Sequence, residues 1–452
     1  MSALETIKSL VGKADPYRDA PANLRELQLE ALRERFTEKR QQLKILDRRA
    51  SEAGVEEIRT LADVVPLLFV HTNYKSYPES FVDKGQWSNM SLWLQTLTSA
   101  PVAKVKMDGV KDADDWLNRL RAAGHEVFAS SGTSGKSSFL DQTADDVALA
   151  LQAYDKGFLG QWAPLKPARD RTAFVFFPTT GVHRLCAPNY HFWTEYVAPE
   201  GSAHFVSKEP LLAAPGIRAG QLRRALAAGN AMPDEIAAFE AENAVRAEKM
   251  QASVANFMDQ IYECRHQPLA FGVMWPQAFQ VMEAMRARGM KDGEMHPDTV
   301  MCMGGGIKGV KLPDDYKEQI QRFFGLQPER YLNSYAMVEM TGLSPYRHNL
   351  DAYAIPPWIV PLVLDKAGER LLNPEDGSGV VEGRMALFDL LTDARWGGLI
   401  SGDKVTVDFD SADGFSGPLV RSIARYQDLE EGEDKLTCAG TIDSYVRGAI
   451  SL

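Results

Sequence analysis

Residues 129–138 read Ala-Ser-Ser-Gly-Thr-Ser-Gly-Lys-Ser-Ser, and the kind of loop they form decides how the rest of the chain is read. Gly132 and Gly135 let the backbone turn tightly and approach a ligand closely. Ser130, Ser131, Thr133 and Ser134 contribute hydroxyls and successive N–H groups that can converge on anionic oxygens. Lys136 adds a positive charge beside them. Composition alone also describes a solvated Gly/Ser turn, and such turns are commoner. The flanks favour an anion cradle: residues 125–128 form a short β-prone approach and residues 145–154 read as a helix, so the loop is expected between a strand and a helix, where phosphate sites are usually built. A Walker-type nucleotide loop requires Gly-x-x-x-x-Gly-Lys-Ser/Thr. Gly135, Lys136 and Ser137 supply its end, but Ser130 stands where its first glycine belongs.

The chain has 452 residues, more than one ordinary core accommodates, so a large domain of subdomains or several domains are expected. Hydrophobic residues at 45% and charged residues at 25% are those of a globular protein with a sizeable core. A formal net charge of −11 argues against a nucleic-acid partner, which would call for a basic stripe. Cys186, Cys264, Cys302 and Cys438 are widely scattered and form no Cys-x-x-Cys pair, which speaks against a zinc knuckle or a disulfide framework and fits a reducing cytoplasm. The first residues contain no apolar signal core and no apolar run approaches a membrane span, so neither secretion nor membrane insertion is expected.

Residues 23–53 are strongly helical, with Leu24, Leu27, Leu29, Leu32, Phe36 and Leu43 recurring among Arg, Glu and Gln; the stripe reads as a packing face, with a homodimer contact as the alternative. Residues 71–93 read as irregular polar and aromatic surface that could supply pocket edges. Residues 112–123 form a short amphipathic helix leading into the opening loop. After it, 171–177, 269–275 and 299–303 read as short buried strands, and 218–262, 277–288 and 314–324 as helices, an alternation that predicts a doubly wound α/β fold. Ligands of such sheets bind at the carboxyl ends of the strands, so Phe177 and His183 at the end of the first strand are candidate site residues, and Gly304-Gly305-Gly306 after the third is a place where the backbone approaches something closely or turns sharply. Phe177 and Trp275, with Phe176 and Phe279, suggest an apolar substrate pocket; core packing is the alternative for each. From about residue 351 to 452 shorter apolar runs separated by Asp/Gly turns suggest a smaller β subdomain, after an α/β core spanning 1–350. The strand 171–177 does not end in the acidic residue that a Walker-type site uses for Mg²⁺.

Five motifs in register over most of the chain resemble those of adenylate-forming enzymes, the acyl-CoA synthetases and their relatives, and especially the branch of phenylacetate-CoA ligases and acyl-protein synthetases. They are Ser130 to Gly135, Gly304 to Gly306, Tyr335-Ala336-Met337-Val338-Glu339, Ser401-Gly402-Asp403 and Gly440-Thr441-Ile442-Asp443. The resemblance implies the large N-terminal domain of that family, doubly wound sheets with a smaller β subdomain, and activation of a carboxylic acid with ATP through an acyl-adenylate. The acyl group would then pass to a thiol of CoA, a carrier protein or a protein cysteine. It assigns phosphate binding to Ser130, Ser131, Gly132, Thr133, Ser134 and Gly135, adenine to Gly304, Gly305, Gly306 and Tyr335, both ribose hydroxyls to Asp403, and Mg²⁺ to Glu339 with Thr133. These roles suit the residue types: a carboxylate accepts two hydrogen bonds at once, and oxygen ligands suit a hard cation.

The chain departs from the family pattern at several points. Ser137 and Ser138 stand where the loop ends in Pro-Lys, and Lys136 is the candidate to replace that lysine. Ala336 and Val338 replace a Gly and a Thr before Glu339, and Thr441 replaces an arginine. The chain stops at Leu452, before the mobile C-terminal domain of the family, so a partner protein is expected to complete the reaction. Cys438 is a further candidate acyl acceptor, by its placement near the end of the chain. A catalytically degenerate nucleotide- or acyl-binding protein of the same fold is the alternative to an enzyme.

Overall fold

Leu24, Gln28, Ala31, Leu32, Arg35, Phe36 and Lys39 are buried along one face of the helix Leu24–Gln42, the three-and-four spacing of an amphipathic helix. The long helix expected over 23–53 is broken at Leu43. That residue turns extended, with φ −111° and ψ 100°, and drives its side chain into the core at 1% exposure. A second helix, Lys44–Ala53, then runs to Gly54, which ends it in the left-handed conformation at φ 68°. An Arg40 to Asp47 ion pair of 2.8 Å ties the two helices across the break.

The computed structural model describes residues 1–130, 136–159, 168–305, 310–410 and 414–426. The chain forms two compact units: Met1–Lys156 together with Met337–Leu452, and Gly157–Ala336.

In the second unit five strands, Ala203–Ser207, Thr172–Pro178, Leu269–Met274, Val300–Gly304 and Tyr331–Tyr335, lie side by side in that order and all parallel. The three middle strands, Thr172–Pro178, Leu269–Met274 and Val300–Gly304, are near-continuous apolar runs because both faces are largely covered, whereas Ala203–Ser207 and Tyr331–Tyr335 are more polar and half-buried. Phe174, Phe271 and Met301 are fully buried, and they join Phe257 and Ile261 of the helix Pro233–Cys264, Val281 and Met285 of Trp275–Ala287, and Phe323 of Tyr316–Phe324. This is the alternation of strands and helices expected from the sequence.

In the first unit the strands Ile359–Leu364, Val380–Asp389, Gly398–Asp408, Leu419–Arg425, Ala352–Ala354 and Ser344–Arg347 form an antiparallel series. The short strand Phe69–Val70 adds in parallel to Gly398–Asp408. Four fully buried tryptophans brace this unit. Each donates its indole N–H: Trp93 to Ser76 Oγ, Trp116 to Ser91 Oγ, Trp358 to the Thr341 carbonyl and Trp396 to the Leu67 carbonyl, at 2.9 to 3.1 Å. A buried indole without an acceptor would cost the desolvation of its N–H, so these four bonds fix how helices and loops meet the sheet. Among the described residues no helix is long and apolar enough to cross a membrane.

Candidate active site

The opening loop joins two strands of a hairpin, Glu126–Ala129 and Phe139–Gln142, which pair antiparallel with Ala129 opposite Phe139. This corrects the expected strand-loop-helix arrangement. The residues after the loop are Phe139 and Leu140, both buried, and an apolar pair that close to the turn continues as a strand; the helix Ala144–Leu159 begins only afterwards. Ser130 and Ser138 close the base of the loop: Ser130 N–H donates to the Ser138 carbonyl at 3.0 Å, and Ser138 N–H donates to Ser130 Oγ at 2.8 Å. Ser138 is 1% exposed, so the position that carries a lysine in the resembled motif is here an interior closing contact. Ser131, Gly132, Thr133, Ser134 and Gly135 lie outside the described residues.

Lys136 anchors the loop laterally. Its ammonium donates to the Tyr77 carbonyl at 2.9 Å, lies 5.0 Å from the centre of the Tyr77 ring and faces Glu79 at 3.8 Å. Tyr77 in turn donates its hydroxyl to the Ser137 carbonyl at 3.2 Å and packs edgewise on Trp93. The segment read as irregular surface, 71–93, therefore contains a buried strap along the exit of the phosphate-type loop.

Glu339 sits on a turn held by its main chain. The fully buried Arg395 donates from Nη2 to the Glu339 carbonyl at 3.1 Å, Thr341 N–H donates to Asp389 Oδ2 at 2.8 Å, and the Thr341 carbonyl receives Trp358 Nε1 at 2.9 Å. Gly342 follows with φ 81°, where a Cβ would lie 3.3 Å from the Ala153 carbonyl oxygen and the Trp358 ring, so only glycine closes this turn without strain. Among the described residues the Glu339 carboxylate itself makes no hydrogen bond. It is thus a half-buried anion on a rigid support, with Lys75 near enough to feel it: burial lowers the Lys75 ammonium pKa and the Glu339 charge acts to raise it. Arg395 stays firmly protonated; burial works against its charge, but Tyr74, Asp389 and Glu339 outweigh that and raise its pKa.

Asp403 owes its position to a break in the ladder. Arg384 pairs with Lys404 and Ala386 with Ile400, so Ser401-Gly402-Asp403 bulges out opposite Met385 alone. Ser401 Oγ holds the bulge, donating to the Met385 carbonyl at 2.9 Å and accepting from Asp403 N–H at 3.1 Å. Bulges re-aim side chains, and this one sets a carboxylate 17% exposed at 3.9 Å from Arg425. Beneath it, the buried Arg384 donates to the Ser401 carbonyl at 3.2 Å and stacks 4.2 Å from the Tyr426 ring.

In the second unit Met274, Gly304 and Ser334 are register partners at the carboxyl ends of three adjacent parallel strands, which puts Gly304, Gly305 and Tyr335 at one sheet end. A Cβ on Gly304 would come 3.3 Å from Ser334 Oγ, and Gly305 has φ 70° with Met274 Sδ 3.4 Å from its Cβ position. Gly306 lies outside the described residues. Of the proposed pocket residues, Phe177 and His183 are half-buried with their rings edge to face at 5.5 Å. His183 Nδ1 accepts the Leu185 N–H at 3.2 Å. Trp275 is 4% exposed and packs in the core against Tyr316. Cys438 and Gly440 to Asp443 lie outside the described residues.

Sequence reading missed Arg395, Asp389, Lys75 and Asp141. For Arg395 and Asp389 the signal was a charge set within the apolar runs Phe388 to Leu391 and Ala394 to Trp396, where charges survive only as satisfied buried groups. Asp141 is 2% exposed and its Oδ1 has no partner among the described residues. Thr98 Oγ1 lies 2.8 Å from both Asp141 Oδ2 and the Ala394 carbonyl; one hydroxyl has one proton, so a protonated Asp141 satisfies both contacts at once. Burial, against the Thr98 bond, pushes the Asp141 pKa up to about 7, with nearby Asp146 adding to the rise. A carboxyl raised in the folded state stabilises fully below its unfolded pKa, and that stability is lost as pH rises through the folded value. Asp141→Asn is therefore expected to match the parent in denaturant midpoint near pH 4 and to exceed it increasingly from pH 5 to 8. The gain is of the order of 1.4 kcal/mol for each unit of raised pKa. A stability difference independent of pH would show that Asp141 is not held protonated.

Among the described residues no cluster of three or more His, Cys, Asp or Glu side chains is placed to hold a metal ion. A lone carboxylate such as Glu339 suits Mg²⁺, which keeps most of its shell as water and substrate phosphate oxygens, better than a cation needing an all-protein cage.

No family profile matches the sequence, and no curated protein matches it at a significant level. Solved structures do. A 2-hydroxyisobutyryl-CoA ligase, in complex with 2-HIB-AMP and CoA in the thioesterification state, superposes with a TM-score of 0.52 at 14% identity, over 91% of this chain and 70% of that one. The same enzyme in the postadenylation state with R3-HIB-AMP gives 0.50 at 13% identity over the same shares. At such identities the similarity is one of fold, and the chain has the mixed α/β fold of the large domain of adenylate-forming ligases.

Proposed function

We propose that this protein is an ATP-dependent ligase that activates a carboxylic acid as its acyl-adenylate and passes the acyl group to a thiol. The substrate carboxylate attacks the α-phosphorus of ATP and expels pyrophosphate; the acceptor thiolate then attacks the acyl carbon and expels AMP. The observation that carries this reading is the Glu339 carboxylate, free of hydrogen bonds among the described residues, on a turn locked by Arg395, Asp389 and Trp358. It is supported by the order of the five motifs and by the shared fold with a ligase solved with acyl-AMP compounds.

The chemistry joins two anions, so it depends on positioning and on neutralising charge. Ser130 and Ser138 close the loop whose N–H groups and hydroxyls would receive the phosphates. Glu339, with Thr133, would hold Mg²⁺, which when bound neutralises charge on the transferring phosphate. Asp403 would accept the ribose hydroxyls, and the Gly304 and Tyr335 strand ends would receive the adenine. The acceptor is CoA, a carrier-protein thiol or a protein cysteine such as Cys438. Scattered cysteines support a cytoplasmic setting; Cys186, Cys264 and Cys302 are not joined in disulfides.

The test is formation of AMP and pyrophosphate from ATP with a panel of aliphatic, hydroxy and aromatic acids. Acid-dependent release of both supports the ligase; ADP and phosphate in their place would point to a different nucleotide chemistry. Asp403→Ala is expected to raise the KM for ATP about tenfold, as loss of hydrogen bonds to a charged acceptor does, and to abolish discrimination between ATP and 2′,3′-dideoxy-ATP. Unchanged discrimination would remove Asp403 from the ribose site. Val338, in place of the Thr of the resembled motif, favours a second reading: a protein that binds the nucleotide or acyl ligand without turnover. It would bind ATP and release no AMP with any acid.

A further inference from the structure

Three of the four residues in Tyr74-Lys75-Ser76-Tyr77 are buried, at 1%, 9% and 3% exposure for Tyr74, Ser76 and Tyr77, and each is fixed by a named contact. The Tyr74 ring lies 5.8 Å beneath the Arg395 guanidinium, the group that holds the Glu339 carbonyl. Ser76 Oγ donates to the Asn73 carbonyl at 2.7 Å and accepts the Trp93 indole N–H at 3.1 Å. Tyr77 binds the Ser137 carbonyl through its hydroxyl and receives the Lys136 ammonium on its own carbonyl. The strap therefore spans from the Glu339 turn to the exit of the phosphate-type loop, and Lys75, half-buried, is the one residue of the four that is not buried. Its neighbours on both sides are held by these contacts, and the Glu339 charge acts to raise the Lys75 pKa against the burial that lowers it. Lys136, the nearer lysine in sequence, is committed to Tyr77 and Glu79.

We propose that Lys75 is a phosphate-contacting residue of the nucleotide site, its ammonium binding the anionic oxygens of ATP beside Glu339. This rests on the nucleotide-binding part of the function proposed above. A lysine on a flexible stem acts as a compact point charge for phosphate, and one whose strap is already ordered loses little further entropy on engaging a ligand.

Calorimetric titration of the full chain with ATP and with adenosine, for the parent, Lys75→Met and Lys75→Arg, tests it. Lys75→Met keeps the stem and removes the charge; its ATP affinity is expected to fall about tenfold or more, the scale of one charge-assisted hydrogen bond. Adenosine affinity is expected to stay within twofold of the parent, and Lys75→Arg to recover most of the ATP affinity. Equal loss for ATP and adenosine would overturn the proposal in favour of a structural role, and an unchanged ATP affinity, or a parent that binds no ATP, would overturn it outright. AMP formation is scored separately. A parent that binds ATP in a Lys75-dependent way but makes no AMP with any acid refutes the ligase and leaves the contact standing. AMP formation with an ATP affinity indifferent to Lys75 refutes the contact and leaves the ligase.

Discussion

Glu339→Gln is expected to lower acid-dependent pyrophosphate release by at least about 10²-fold, the scale seen when one electrostatic partner of a transition state is removed. The folded protein should be almost unaffected. The turn is held by the Glu339 carbonyl, by Thr341 and by Gly342, and the glutamine keeps all of these; a side chain without a hydrogen bond of its own changes stability by only about 0.5 kcal/mol. Activity should therefore collapse while the denaturant midpoint holds. Raising Mg²⁺ is expected to recover part of the rate, because an amide oxygen remains a weak ligand for a hard cation. Pyrophosphate release at the parent rate would exclude Glu339 from the reacting centre.

Arg395→Ala is expected to have the largest effect on the fold, about 3 kcal/mol or more of destabilisation, in the range for removing one partner from a buried charged cluster. The side chain is 2% exposed. Its loss leaves the Glu339 carbonyl without its guanidinium, the Tyr74 ring without its cation and the buried Asp389 without a compensating charge. Arg395→Lys restores charge but not the planar fork that reaches carbonyl and ring together, so it should recover a minor part. Urea unfolding monitored by tryptophan fluorescence reads both variants. A loss below about 1 kcal/mol for Arg395→Ala would mean the cluster relaxes onto water and does not brace the Glu339 turn. AMP formation by the Lys variant, at a temperature where it is fully folded, should be reduced as well, since the turn that presents Glu339 is loosened.

What the sequence by itself determined was the local part of the design. Apolar runs such as Phe174 to Phe176 and Leu269 to Val273 read as buried strands and the helical stripes between them as their cover, so the α/β class followed from periodicity. The Gly-rich stretch at 129–138 stood out because tight turns use few residue types, whereas Glu339 and Asp403 stood out only through the resemblance of the motifs around them. The structure alone decided the matters that depend on residues far apart in the chain. The opening loop is a hairpin tip because Phe139 and Leu140 bury beside Val127 and Phe128. Ser401-Gly402-Asp403 is a bulge because Arg384 and Ala386 take Lys404 and Ile400 as partners. Lys75 reads as a polar residue in an irregular stretch until Tyr74 is seen under Arg395 and Tyr77 against Ser137. The deciding contacts join segments from about ten to more than three hundred residues apart, and local periodicity carries no record of which distant group will satisfy a buried polar atom.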